Sequence, residues 1–249
     1  MAGSRTYRTV AIVLDKVKLK ETDLILTLLA RDGRQLRAVA KGARKPGGRL
    51  AARCEVSCTV DLLLARGRAL DVVSQAELVA APLGAAPTLD ALSAAAAVCE
   101  VAKACCYEDA PDPSACPITE RALEVAGTLA DQPHLDLIVA AYVLKLLSHV
   151  GYRPDYSGCV ACGDQAVSYF SAVAGGMLCA SCAASVPGAE PLGPNETAWL
   201  RALIARRFDE LAAAPIDLAT ASLLLGLAHT WAATHLDCRL RALEFLLGR

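Results

Sequence analysis

Two C-x-x-C pairs, Cys159 with Cys162 and Cys179 with Cys182, are the side chains in this sequence best arranged for chemistry. Two residues between thiolates let one tight turn place both sulfurs on a tetrahedral ion, about 2.3 Å from each. Gly163 and Gly175-Gly176 relieve backbone crowding around the two turns. Four thiolates close the coordination shell and leave no position for water or substrate, so one structural Zn2+ is expected rather than a catalytic one. A redox pair would need a lowered thiol pKa and a βαβ context that the sequence lacks. Unliganded core cysteines are the remaining alternative.

The chain has 11 cysteines, an odd number that disulfides cannot use up, and no export signal opens it. Cys54 and Cys58, an even spacing on an expected strand, and Cys99, Cys105 and Cys106 in an Ala-rich helix read as small core residues.

A second constellation is the basic run Arg31, Arg34, Arg37, Lys41, Arg44, Lys45, Arg49 and Arg53, interrupted only by Asp32. Within it, Lys41-Gly42-Ala43-Arg44-Lys45-Pro46-Gly47-Gly48-Arg49 reads as an extended, flexible loop able to fit itself to phosphates. The formal net charge of −1 hides this asymmetry, because residues 1–80 hold 15 Lys and Arg against 8 Asp and Glu. The remainder holds 10 against 18, so a basic module joined to an acidic body is expected. Charge alone leaves a nucleic-acid surface and a merely solvated loop on equal terms. Residues 1–80 offer a single aromatic, Tyr7, so base stacking cannot dominate any binding there. Backbone electrostatics would, with weak sequence preference and steep salt dependence.

Nothing resembles a catalytic constellation. His134, His149, His229 and His235 fall on expected helices and read as packing or surface groups, and neither a G-x-x-x-x-G-K-[ST] loop nor a G-x-S-x-G elbow occurs. A metal-dependent enzyme would need the open coordination site that four cysteines do not leave. The chain is therefore expected not to be an enzyme. Asn195-Glu196-Thr197 matches a glycosylation acceptor but reads better as a helix cap.

The elements that must position these groups divide into two kinds. Strands are expected at 7–14, 23–30, 35–40, 56–65 and 70–79, with turns at Asp32-Gly33 and Arg66-Gly67-Arg68. Five short strands of this kind suit a closed barrel such as an OB-fold. An Ala, Gly and Pro stretch at 82–87 marks a boundary, after which the apolar spacing becomes helical. Helices are expected from Thr88 as cap to 107, from a Pro-rich loop at 111–117 to 131, and over 135–150 with Gly151 as stop. Further helices follow over 196–211 with Asn195 as cap, and from 218 through 247. Residues 218–236 lack Asp, Glu, Lys and Arg, yet their histidines, threonines and serine favour a buried core helix over a membrane span. The fold class expected is α+β and multidomain. An OB-fold β-barrel occupies 1–81 and a mostly α-helical domain 88–249, with an inserted four-cysteine zinc module at about 155–186.

The order of parts resembles the RecO family of bacterial DNA repair and recombination mediators. In the first domain the resemblance rests on Lys20-Glu21-Thr22-Asp23, on Val39-Ala40-Lys41-Gly42-Ala43-Arg44-Lys45, on Arg49-Leu50 and on Ser74-Gln75-Ala76-Glu77-Leu78. In the second it rests on the cysteine pairs with Gly175-Gly176 between them, and on His235-Leu236-Asp237-x-Arg239-Leu240-Arg241. The resemblance implies a cytoplasmic, nucleoid-associated protein that binds single- and double-stranded DNA and anneals complementary strands. It implies two protein partners, RecR and the acidic C-terminal tail of single-strand binding protein, through which RecA replaces that protein on DNA. Carried over by position, the DNA-contacting candidates are Arg34, Arg37, Lys41, Arg44, Lys45 and Arg49, with Gly47-Gly48 standing where the family often keeps a basic residue and a Ser. Arg201, Arg206 and Arg207 form the C-terminal basic cluster to test for the acidic tail. The rival expectation is a zinc-stabilised helical scaffold that binds only acidic protein segments.

Overall fold

The structure, a computed structural model, describes residues 5–46 and 50–248. By packing, the chain divides into two compact units, Met1–Thr128 and Leu129–Arg249.

The first unit opens with five strands and one short helix: β1 (Thr6–Leu19), β2 (Asp23–Ala30), β3 (Gln35–Ala40), α1 (Leu50–Arg53), β4 (Thr59–Ala65) and β5 (Asp71–Ala80). They close into a barrel in the order β1-β2-β3-β5-β4, with β4 returning to β1, which is the OB-fold topology. All neighbours are antiparallel except β3 and β5, which run parallel and pair only at Ala38 with Asp71 and Val39 with Val72. That two-residue seam leaves the first half of β3 without a partner on the β5 side.

Alternation explains the barrel interior. Ala11 and Val13 of β1, Leu24, Leu26 and Leu28 of β2, Leu36 and Ala38 of β3, and Val60, Leu62 and Leu64 of β4 point into one buried cluster. Each buried Leu contributes about 1.5–3 kcal/mol relative to exposure. Ile12, Leu14 and Leu29 point the other way and are equally buried, because α2 (Leu89–Cys105) packs on β1 and β2, and α3 (Ala115–Ala126) packs on β1. Thr88 caps α2, its hydroxyl accepting the Ala91 N–H at 3.1 Å. α3 begins at Ala115, with Pro117 in its first turn, where a missing N–H costs nothing. These two helices therefore share a compact unit with the barrel, although the change of composition lies earlier, at 82–87. Cys54 and Cys58 flank strands rather than lie in one: Cys54 follows α1 and Cys58 precedes β4.

The second unit is built on α4 (Gln132–His149), which packs against a later helix, α8 (Leu218–His235). Asp131 caps α4 by accepting the His134 N–H at 3.1 Å. Between them lie β6 (Tyr169–Ser171), β7 (Gly176–Leu178), α5 (Ala180–Ala183), β8 (Glu190–Pro191), α6 (Pro194–Ala205) and α7 (Phe208–Ala212), and α9 (Arg241–Leu247) closes the chain. The sheet order is β7-β6-β8. α8 is the core helix read from the sequence, burying Leu224, Leu225, Leu227 and Trp231, and no helix among the described residues is long and apolar enough to cross a membrane.

Two expected helices are broken. The cap expected at Asn195 is instead Gly193, and Pro194 opens α6, since its fixed φ and absent N–H suit the first helical position. α6 stops at Ala205, because Arg206 and Arg207 are extended and the Nζ of Lys145 binds the carbonyls of Ile204 and Arg206 at 2.8 and 2.6 Å. The long helix expected to 247 ends at His235, where Leu236 and Leu240 both turn inward around the exposed Asp237-Cys238-Arg239 segment.

Candidate metal centre and nucleic-acid interface

The four cysteines converge from two turns. Cys159 and Cys162 lie on a turn closed by the Cys159 N–H on Asp164 O (2.7 Å) and the Gly163 N–H on Cys159 O (2.8 Å). The Val160 N–H binds Met177 O at 2.9 Å, tying this turn to β7. Cys179 follows β7 and forms the N-cap of α5, which carries Cys182. Gly176 lets the chain leading to the first turn lie against β7: a Cβ there would stand 2.2 Å from Asp155 O, where Met177 N–H donates at 3.0 Å.

All four sulfurs lie within 4.8 Å of one another, and the Cys162 and Cys179 sulfurs are 3.8 Å apart. A tetrahedron with bonds of about 2.3 Å has an edge of about 3.8 Å, whereas a disulfide holds its sulfurs at about 2.05 Å. The geometry thus fits a thiolate-bound dication. Backbone N–H groups, that of Cys179 first and those of Ala161 and Cys162 with it, hold the Cys159 thiol down at about 6. Neighbouring sulfurs, Cys162 foremost, push Cys182 up to about 12. The module's apolar core is thin: its buried members are Cys159, Leu178, Cys179 and Ala183. An ion binding four thiolates would supply the cohesion that so few side chains do not. Among the described residues this is the only such group of ligating side chains.

The other cysteines, apart from the exposed Cys238, behave as core. Burial pushes Cys54 and Cys116 up to about 11, and Cys99 and Cys106 up to about 12, far from reactive thiolates. Two of the histidines are held by packing and hydrogen bonds. His134 sits between Asp131 and the Ala214 carbonyl, and His235 packs between the rings of Tyr152 and Trp231, where burial lowers its pKa.

The basic candidates gather on β3 and its two flanking turns. Arg34 lies in the β2–β3 turn with its Nε 2.7 Å from Asp32, and Arg37 projects outward from mid-strand. Lys41, Arg44 and Lys45 follow the strand and are exposed. Over 41–46, the described part of the extended loop expected at 41–49, the segment is instead a turn. Ala43 is buried in the barrel core, Gly42 takes φ +65°, and the Lys45 N–H returns to Gly42 O at 3.1 Å. The β1–β2 hairpin holds this turn from below: Asp23 accepts the Gly42 N–H at 2.7 Å, Thr22 O accepts the Arg44 N–H at 2.8 Å, and Glu21 O accepts the Arg44 guanidinium at 3.0 Å. The Gly42 N–H, foremost, holds the Asp23 carboxyl below its ordinary value. Arg49 lies outside the described residues. Arg53 is exposed at the end of α1 and donates to Ala76 O at 3.0 Å.

Arg201 lies on α6, while Arg206 and Arg207 occupy the extended link to α7, all three exposed. Arg207 Nη2 lies 3.5 Å from Asp209. Two arginines that the sequence offered only as turn residues, Arg66 and Arg68 between β4 and β5, are brought by the fold beside Arg34 and Arg37.

Fold and sites together define a class: an OB-fold barrel with a basic strand, followed by a helical body carrying a four-cysteine cluster able to hold a metal ion. The chain belongs to the recombination protein O family, whose N-terminal model matches residues 1–82 and whose C-terminal model matches residues 86–244. Curated relatives called DNA repair protein RecO run nearly its whole length. That of Bifidobacterium adolescentis is 35% identical over 246 residues, 96% of this chain and 98% of the relative. That of a Nocardioides species is 34% identical over 250 residues, covering 96% and 98%. That of Desulforudis audaxviator is 33% identical over 244 residues, covering 97% and 96%.

Proposed function

We propose that this chain is a DNA-binding recombination mediator that works in DNA repair without catalysing a reaction. Family membership supports the repair role. The observation that carries the binding is the row of exposed cations along one barrel strand, Arg34 and Arg37 on or before β3 and Lys41, Arg44 and Lys45 in the turn after it. Neutralising phosphates releases counterions and, by screening the repulsion between two strands, lets complementary strands anneal. Arg49 belongs to the same set by position. The barrel, 1–81, is the nucleic-acid module; the helical domain, 88–249, is the partner-binding one, meeting RecR and the acidic tail of single-strand binding protein while RecA replaces that protein on DNA. Arg201, Arg206 and Arg207 are the basic group assigned to the tail. The ion in the four-cysteine module, spanning about 155–186, is zinc, and its role is structural.

The test is binding of a fluorescent dT oligonucleotide against salt, beside titration with an acidic C-terminal peptide. Replacing Lys41, Arg44 and Arg49 together by Ala should weaken all sequences alike and flatten the logarithmic salt slope by about 2. A parent that binds the peptide and no oligonucleotide overturns the reading in favour of a protein-binding scaffold.

A further inference from the structure

The α2–α3 link, residues 106–114, carries Glu108, Asp109 and Asp112 close together, in a unit whose barrel is basic. Two ties to the barrel set its path. At one end Gly33, in the β2–β3 turn at φ +85°, lies so near that a Cβ there would stand 1.9 Å from Asp112 O. At the other end the Gln35 N–H donates to Tyr107 O at 3.3 Å, a long bond, and the side-chain oxygen of the same Gln35 is buried with no donor among the described residues. The link is therefore wedged firmly at Asp112 and held weakly at Tyr107.

These ties bring Glu108 to a cleft of about 390 Å³ whose other charged groups are Arg34, Arg37, Arg66, Arg68 and Asp71. Asp71 is occupied, accepting from the Tyr7 hydroxyl and, at 3.1 Å, from the Gly67 N–H. Glu108 is exposed and makes no ion pair among the described residues, and neither do Arg37, Arg66 and Arg68. A carboxylate that shares a cleft with guanidinium groups lowers the positive potential there even without closing a bridge to any of them. A purely structural contact would instead be a closed, two-pronged Arg–Glu pair.

We propose that the α2–α3 link is an autoinhibitory strap: Glu108, with Asp109 beside it, is a tethered counterion before the arginines, which a phosphate must displace. The inference rests on the DNA-binding reading above and adds its regulation. A tethered anion competes at a local concentration that dilution does not change. It therefore weakens every encounter with nucleic acid without removing the site. The weak tie at Tyr107 lets that end swing out when phosphate arrives, and the wedge at Asp112 keeps it near enough to return. Strands are released more readily as a result, which annealing requires, since a strand gripped too tightly cannot exchange partners.

The experiment uses the full chain, a fluorescent dT oligonucleotide and a salt series. Glu108→Gln with Asp109→Asn should bind dT about fivefold more tightly at low salt, the gain shrinking as salt screens the charges. Glu120→Gln with Glu124→Gln is the control, removing equal charge from α3 beside Thr59 and Ala80, at the end of the β4–β5 hairpin about 20 Å from its turn. Equal tightening in the two double variants would reduce the result to net charge and overturn the strap. In the parent, saturating dT should speed cleavage after Glu108 by a glutamate-specific protease, a readout independent of any variant's folding. Slower or unchanged cleavage would mean that the link stays in place, and would overturn the strap as well. A parent that binds no oligonucleotide fails the DNA-binding reading and the strap with it. A parent that binds dT as tightly as the Glu108 and Asp109 variant fails the strap alone.

Discussion

The carboxylate of Asp23 accepts the backbone N–H of Gly42 at 2.7 Å across 19 residues of sequence. Through that bond the tip of the β1–β2 hairpin fixes the turn that presents Lys41, Arg44 and Lys45. Two of the stretches that carry the family resemblance in the sequence, 20–23 and 39–45, are therefore two halves of one object.

Asp23→Ala separates positioning from charge. Removing an anion beside Lys20 and Lys41 should tighten DNA binding if net charge governs it. Loss of the tie should loosen it, and about fivefold weaker dT binding at low salt is expected, with the barrel still folded by circular dichroism. Because the Asp23 carboxyl is held below its ordinary value, the tie is whole at neutral pH. Its stabilising contribution is lost only as pH falls through that lowered value.

Gly176 and Gly163 make a second contrast, between space and torsion. A methyl at Gly176 would strike Asp155 O at 2.2 Å, backbone against backbone, so Gly176→Ala must part β7 from the chain leading to Cys159. Gly163, at φ +80°, has nothing within 4 Å of a built Cβ, so Gly163→Ala should cost only the left-handed conformation, about 1–2 kcal/mol. Metal analysis of the purified variants should find the ion depleted in the first and retained in the second.

How far this was legible in the sequence depended on whether the determining interaction was local. The barrel strands announced themselves, since alternation at Val60, Leu62 and Leu64 is a nearest-neighbour pattern. The cysteine pairs did so because C-x-x-C is itself a local geometry. The conformation of 41–46 did not: glycines and cations suggested a loose loop, and the restraint came from Asp23, Thr22 and Glu21, residues on another hairpin. The break after Ala205 was hidden for the same reason, its carbonyls being claimed by Lys145 from α4. That Arg66 and Arg68 come beside Arg34 and Arg37 required knowing where the β3–β5 pairing stops, which no run of residues records.

For the four cysteines, the expectation is one tightly held ion per chain. Cys159→Ser and Cys179→Ser remove buried ligands and should abolish its retention, measured by elemental analysis after dialysis. Chelation of the parent should lower the melting temperature of the second unit while leaving the barrel's strand signal, because the module's buried core has little besides Leu178. Recovery of an intramolecular disulfide instead, with no metal, would contradict the 3.8 Å sulfur spacing.

Lys145 supplies the last test. Its Nζ donates to Ile204 O and Arg206 O, two carbonyls freed at the end of α6, and lies 5.5 Å from the centre of the Phe208 ring. Lys145→Met keeps the apolar stem but leaves these carbonyls without that donor, at a cost of about 1–2 kcal/mol by denaturant unfolding. Burial lowers the Lys145 amine to about 8, so between that value and the usual lysine range the unfolded chain binds the additional proton. Stability should then rise with pH across this window in the parent relative to Lys145→Met, and the two should run parallel below it. Parallel curves throughout would mean that the amine titrates alike in both states, and that the link at Arg206 and Arg207 is held by its backbone and the Glu210 carboxylate alone.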